Sequence, residues 1–573
     1  MSLLCGALLS NCASAFELQR IPAATLQIAR KAEITSAQNA SASEFVRVGI
    51  GNQSFGTYVY KNIGIFGTST LEIYSNGNLV DKIDANKNVN VYINPDLTYT
   101  LKEDDGTEIA KLPEGIMFKS PAGLLGVKGL KRAGSQALYR GTLNIVKAAG
   151  GVQFNLVNKI SVEDYLKGVV PNEMPVRFGL EALKAQSVAA RNYVLSPRTK
   201  SSPNYDVVDS VASQVYYGAN SEKELGNQAV TQTTGVVALY DWDLILAQYS
   251  STAGGYTESY SYAFSDPKTK EFPSAEKPYL KAKPDILYQK PLKTEEAASA
   301  YYKSTPDAYD IRSPYFRWNR EWQAQELKKV LEQTLPVQSA TGFVRPAFNK
   351  GDKLDTLKEL KVLRRGDSGK IVEMEIVTAS QKYKVFKELV VRRLLTKDGK
   401  ALPSANVVFE NSQDGDGNLV SVKAYGGGFG HGVGMSQFGA GFMGQELHLP
   451  YDKILQHYYT GIILGTKPVI ISNDPAQKTV VQEFYANKKF ANIVVDNKFQ
   501  VNKLNVNING KSYTFELPTS FFGGNRCDRI NISDYIRQGQ NKIIFTYPAE
   551  EGNHKGLRLF VELVGKDDGE SIW

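Results

Sequence analysis

The sequence predicts an α+β chain, mainly β, built from several domains and closing in a β-sandwich. Three observations predict it. The chain has 573 residues, too many for one hydrophobic core and enough for about three or four domains. Short apolar–polar alternations recur between Asn, Asp and Gly turns, the mark of half-buried strands. Strong helix-forming runs are few, and the clearest is Leu180 to Arg191.

Composition narrows the function classes. Hydrophobic content of 42% and charged content of 22% are those of an ordinary globular protein. Four histidines and three cysteines argue against a His- or Cys-based metal centre. The net charge of +8 is mild for this length, and no Lys/Arg run or nucleic-acid motif accompanies it. A weakly basic protein is drawn to anionic polymers, cell-wall polymers among them, or simply carries a solvated basic surface with no specific partner.

The elements follow in order. Leu3 to Leu9 form a short apolar run and Ala13-Ser14-Ala15 an A-x-A site, so residues 1–15 read as an export signal. Leu9-Ser10-Asn11-Cys12 is a poor lipoprotein box. Cleavage after Ala15 removes Cys5 and Cys12 and leaves Cys527, which excludes an intramolecular disulfide. No other segment reads as a transmembrane span. Residues 16–43 lack apolar periodicity and read as a linker. Val46-Arg47-Val48-Gly49-Ile50 alternates and opens a β-rich region over 44–135. A core region over 136–465 follows, with a strand at 153–162 and the helix from Leu180, stopped by Pro197.

Glu295 to Lys303 and Trp322 to Gln333 read as amphipathic helices, giving a helical insertion at about 293–335. Strands are expected over 370–395. A glycine-dense stretch fills 426–444, and Pro450 to Tyr459 reads as a helix. Residues 474–573 alternate again, with Asn509-Gly510 as a hairpin turn, and read as a separate sandwich.

Four segments carry candidate chemistry. In Val170-Pro171-Asn172-Glu173-Met174-Pro175 two prolines stiffen the chain around one carboxylate. A carboxylate held among apolar neighbours has its pKa raised and suits proton donation. It also fits a plain turn position. Arg191 falls on a small and apolar stripe of its helix. It either pairs with Glu173, holds a substrate group, or reaches solvent. Tyr249-Ser250-Ser251-Thr252-Ala253-Gly254-Gly255-Tyr256-Thr257-Glu258 combines hydroxyls, an aromatic face and a Gly-Gly turn. That suits a sugar, or an ordinary loop. Gly430-His431-Gly432-Val433-Gly434-Met435-Ser436-Gln437 allows close backbone approach. No Lys follows the glycines, which excludes a phosphate loop, and His431 contacts substrate or a metal, or is structural. No Ser-His-Asp elbow is present.

Together and in this order, these blocks resemble the SpoIID/LytB family, stage II sporulation and amidase-enhancer proteins. The resemblance rests on Val46 to Gly49, Glu163 to Pro175, Leu183 to Arg191, Ser251 to Glu258, Pro278-Tyr279-Leu280 and Gly430 to Ala440, and spans about residues 44–465. It implies a SpoIID-type catalytic domain that acts as a peptidoglycan lytic transglycosylase. Such enzymes cleave the MurNAc–GlcNAc β-1,4 bond, with the muramyl 6-hydroxyl as internal nucleophile and a 1,6-anhydro end as product. One carboxylate then suffices, where a retaining hydrolase needs two.

By motif position Glu173 is the acid/base and Arg191 a second catalytic residue. Tyr249, Ser251, Thr252, Gly254, Gly255, Thr257 and Glu258 line the glycan groove, as do His431, Ser436 and Gln437. Some members carry paired cysteines that bind zinc. Val208 and Ser213 stand at those positions here, so neither zinc nor a cofactor is expected. Ile530 to Ile544 resembles the last strands of galactose-binding jelly rolls, which implies a carbohydrate-binding or packing module. The implied partners are peptidoglycan glycan strands and a cell-wall amidase, with no nucleic acid, and the implied location is outside the membrane. The rival reading is an amidase enhancer that binds glycan and breaks no bond.

Overall fold

The computed structural model describes residues 44–196, 202–285, 290–496, 501–517, 527–548 and 556–563. The expected signal (1–15) and linker (16–43) lie outside them. Strand outweighs helix, and the chain divides into two compact units, one of residues 44–231 with 238–462, the other of 232–237 with the chain from 463 onward.

The first unit opens with two largely antiparallel sheets. In one, Phe45–Gly49 pairs with Phe154–Ser161, which pairs with Thr142–Lys147, and the sheet runs on through Ile116–Lys119 and Leu71–Ser75. The alternation in the first strand does what a period of two requires: Val46 and Val48 are buried, while Arg47 faces out and pairs with Asp206 at 2.8 Å. The other sheet centres on Asn62–Gly67, between Leu125–Arg132 and Asn88–Ile93.

The strand Phe154–Ser161 leads straight into helix α1 (Val162–Lys167), because Ser161 caps it by accepting from the Asp164 amide. Then come α2 (Val170–Glu173) and α3 (Leu180–Leu195). Helix α3 is buried around nearly its whole girth, from Ala182 to Asn192. Its alanines allow this by letting neighbours approach from every side. Asn192 exchanges two hydrogen bonds with the Ala238 backbone, at 2.7 and 2.8 Å, and so docks a strand on the helix.

Residues 318–426 are organised differently from the sequence reading. The segment Trp318–Gln323 is a strand, and the helix begins only at Ala324 and runs to Ser339. Its Leu327, Leu331 and Leu335 recur one turn apart and pack against residues 343–424 in one core with Trp322. The apolar stripe of Ala324–Ser339 is therefore buried mainly against segments that come later in the chain. The strands expected over 370–395 end at Phe386, and Glu388–Leu394 is helical.

In the second unit, one sheet carries Leu557–Leu563 between Ala491–Asp496 and Val469–Ile471. The other carries Gly539–Thr546 between Thr479–Ala486 and Lys503–Ile508. Side chains of both sheets share one core. Ile471 belongs to it, so this unit begins before residue 474. Asn509 and Gly510 both have positive φ, 52° and 89°, as a two-residue hairpin turn needs. Among the described residues no helix is long and apolar enough to cross a membrane.

Candidate active site

Glu173 stands at the end of α2. Pro171 sits in the first turn, where a missing N–H is tolerated, and extended Met174 before Pro175 stops the helix. The turn is braced by Asn172, which donates to Gly168 O at 2.7 Å and to Ser221 Oγ at 2.8 Å. Glu173 Oε1 accepts from the Val215 amide at 2.6 Å. Burial raises the carboxyl pKa, and the Val215 bond opposes that rise by stabilising the anion.

Three phenols feel the Glu173 charge. Tyr165, Tyr193 and Tyr249 have raised pKa values, first from burial and next from Glu173. They are neutral donors at physiological pH. Tyr165 Oη donates to Gln214 Oε1 at 3.2 Å, and Gln214 Nε2 donates to Tyr249 Oη at 3.1 Å. Tyr249 thus accepts from Gln214 and keeps its own proton for donation.

Gln214 and Val215 arrive on a loop anchored to the first sheets. Val207–Val208 pairs in parallel with Phe45–Gly49. Asp209 then accepts from the Gly51 amide at 3.0 Å and from Arg132 Nη2 at 2.8 Å, in an ion pair with both side chains buried. Ser213 Oγ accepts from the Val208 amide at 3.1 Å. Val208 and Ser213 are thus joined directly by a hydrogen bond. Among the described residues no group of three or more His, Cys, Asp or Glu side chains is arranged to hold a metal ion.

Arg191 does not pair with Glu173. Its guanidinium takes Glu163 in a two-point grip, Nε to Oε1 at 2.8 Å and Nη2 to Oε2 at 2.7 Å, with the Arg191 side chain 1% exposed. The sequence reading missed Glu163 as the partner, although it begins the same block in α1. The geometry suits Arg best, because a planar fork matches a carboxylate. Arg191 thereby locks α3 onto α1, directly before the Glu173 turn.

The two distant loop blocks interlock. Tyr249 and Ser250 pair in parallel with Met435 and Ser436, and bridges join Thr252 to Phe429 and Glu258 to Val433. Gly254 has φ +80°, and its amide donates to Asp310 Oδ2 at 2.7 Å. A Cβ there would press on the Gly427 backbone at 2.9 Å. Gly255 lies beneath Tyr301. Gln437 Nε2 donates to Gln186 of α3 at 3.2 Å and ties the glycine-dense block to the helix.

Several residues expected to line a groove are buried. Thr252 and Thr257 are 1% exposed, and Glu258 and Ser436 are 0% exposed. Thr252 Oγ1 lies 2.6 Å from Ser313 Oγ, and Thr257 Oγ1 donates to Lys283 O. Ser436 caps the helix Gln437–Gln445. Glu258 accepts from the amides of Ser259, Asp367 and Ser368 and from Ser368 Oγ at 2.7 Å. Their polar atoms are satisfied inside the protein, as burial demands.

His431 is likewise held internally. Its Nδ1 accepts from the Val433 amide at 3.1 Å, and it makes a further bond to the Tyr249 backbone. Burial, then the Lys370 and Arg392 charges, lower its pKa to about 3, so the ring is neutral. Of the expected groove residues, Tyr249, Ser251 and His431 keep partial exposure. Tyr165, Tyr193, Gln214, Val215 and Asp310 carried no signal in the chain that set them apart. A hydroxyl, an amide or a lone carboxylate becomes notable only through what folding brings to it.

Comparison with known proteins matches these features. The family described as stage II sporulation protein matches residues 151–240, which include α1 to α3 and Glu173, and a domain of unknown function, DUF8618, matches residues 267–434. An amidase enhancer of Bacillus subtilis is 30% identical over 423 residues, 71% of this chain, and the chain spans 54% of that protein's length. The stage II sporulation protein D of the same organism is 29% identical over 338 residues, 56% of this chain and 79% of the relative. An uncharacterized protein of Brachyspira hyodysenteriae is 26% identical over 62% of the chain and 77% of its own. With the Glu173 turn and α3 inside the matched range, residues 151–240 of the chain form a SpoIID-family domain.

Proposed function

We propose that this chain is an exported peptidoglycan lytic transglycosylase with Glu173 as its acid/base. The observation that carries the reading is one half-buried carboxyl, raised in pKa and held on a rigid turn by the Val215 amide. In its acid form Glu173 protonates the leaving O4 of GlcNAc as the muramyl C1–O4 bond breaks. The muramyl 6-hydroxyl then closes on C1, and its proton returns to Glu173. Proton and bond counts balance without water. Tyr249, its Oη already accepting from Gln214, donates to a sugar oxygen. Arg191 acts through its lock on Glu163, and the buried residues Thr252, Glu258 and Ser436 hold the loops in place.

The second reading is a glycan-binding amidase enhancer, favoured by the 30% identity to the Bacillus subtilis amidase enhancer. The test uses peptide-free glycan strands with the wild type and Glu173→Gln. Mass spectrometry of 1,6-anhydro-muramyl ends in the wild type alone supports the enzyme. No new ends from either protein, with both still bound to strands, supports the enhancer.

A further inference from the structure

Phe429 and Tyr315 are exposed aromatics, 39% and 37% accessible, and their rings lie against each other with centroids 4.4 Å apart. Isolated exposed apolar residues are ordinary, but a ring pair held rigidly at the edge of a candidate site is not. The pair is fixed through its backbone. Phe429 and Thr252 exchange amide hydrogen bonds at 2.8 and 3.3 Å, and the Gly428 amide donates to Tyr315 O at 2.8 Å. The Tyr315 amide donates to Ser313 Oγ at 3.1 Å, the same hydroxyl that meets Thr252. Gly428 and Gly430 flank Phe429 with φ of +89° and +104°. A Cβ at Gly428 would meet the Thr252 and Ala253 carbonyls at 2.9 and 3.0 Å.

We propose that Phe429 and Tyr315 form a stacking subsite for a pyranose ring of the glycan strand whose bond lies at Glu173. The inference rests on the glycan reading of the site. A pyranose has an apolar C–H face and a polar rim. The two rings offer the apolar partner, and the Tyr315 phenol and the partly exposed Ser251 hydroxyl offer the rim. Ser251 contacts Thr252, the residue bridged to Phe429. Thr252 is three residues from Tyr249, at most about 10 Å along the chain, the reach of a neighbouring sugar on the same strand. Rigid anchoring means that little ordering cost is left for binding.

The test is calorimetric binding of peptide-free glycan strands to the non-cleaving Glu173→Gln protein, alone and combined with Phe429→Ala, Tyr315→Ala or Phe429→Tyr. Thermal melts check that each variant folds. Either alanine change weakens binding about tenfold, while Phe429→Tyr keeps affinity within about twofold because the ring remains. Folded alanine variants that bind strands as tightly as Glu173→Gln alone overturn the subsite. So does loss of amidase binding with glycan affinity unchanged, which makes the pair a protein-docking patch. If the wild type makes no anhydro ends yet glycan binding still depends on the rings, the cleavage reading falls and the subsite stands.

Discussion

The Val215 amide donates to Glu173 Oε1 across 2.6 Å, from a loop 42 residues downstream. The bond opposes the rise in pKa that burial imposes on the carboxyl. Proton donation needs the acid form, so the cleavage rate should fall as pH rises through the Glu173 pKa, on a limb displaced above the ordinary 4.5. Val215→Pro deletes the donor and destabilises the anion. The limb should then move to higher pH by about one unit. A folded variant with an unmoved limb removes Glu173 as the group that titrates.

Arg191→Ala should lower stability by on the order of 3 kcal/mol, because it strips a buried cation from Glu163. Glu163→Gln should cost at least as much, since it removes the counter-charge of an Arg191 cation that is 1% exposed, whereas Arg191→Ala leaves a Glu163 carboxylate that is 30% exposed and can be solvated. If both variants lose activity in step with their denaturation midpoints, Arg191 is a positioning residue. Activity lost by Arg191→Lys at unchanged stability would instead place it on the substrate.

His431 makes the fold acid-sensitive. Its pKa is about 3 in the native state against 6.5 for a free imidazole. Between these values the unfolded chain binds the extra proton, so stability is lost as pH falls from about 6.5 toward 3. The slope is at most about 1.4 kcal/mol per pH unit, softened by the ring's remaining exposure. His431→Asn should flatten that limb in melts between pH 6.5 and 4.5. Parallel curves for the two proteins would mean that another group dominates.

Glu258→Ala leaves three backbone amides and the Ser368 hydroxyl without their acceptor in a buried site. A loss of about 3 kcal/mol is expected in urea unfolding. Glu258→Gln, which keeps the shape and one acceptor oxygen, should cost less. A Glu258→Ala protein as stable as the wild type, but with weaker glycan binding, would return this residue to the groove.

Much of the local architecture was legible in the chain. The period of two in Val46 to Ile50 marks a strand, and helix formers from Leu180 mark α3. Asn509-Gly510 marks a hairpin, and paired prolines single out Glu173. These are statements about dihedral preference and side-chain period, which neighbouring residues encode. Partners at long separation are not encoded that way. Only the tertiary structure decided that Arg191 grips Glu163 rather than Glu173, and that Thr252, Glu258 and Ser436 are buried. It alone brought the Val215 amide to the Glu173 carboxyl and Gln214 to Tyr249. The physical reason is that a buried polar group must find whatever donor or acceptor packing places beside it. That choice is made by the meeting of distant segments, after each has taken its local form.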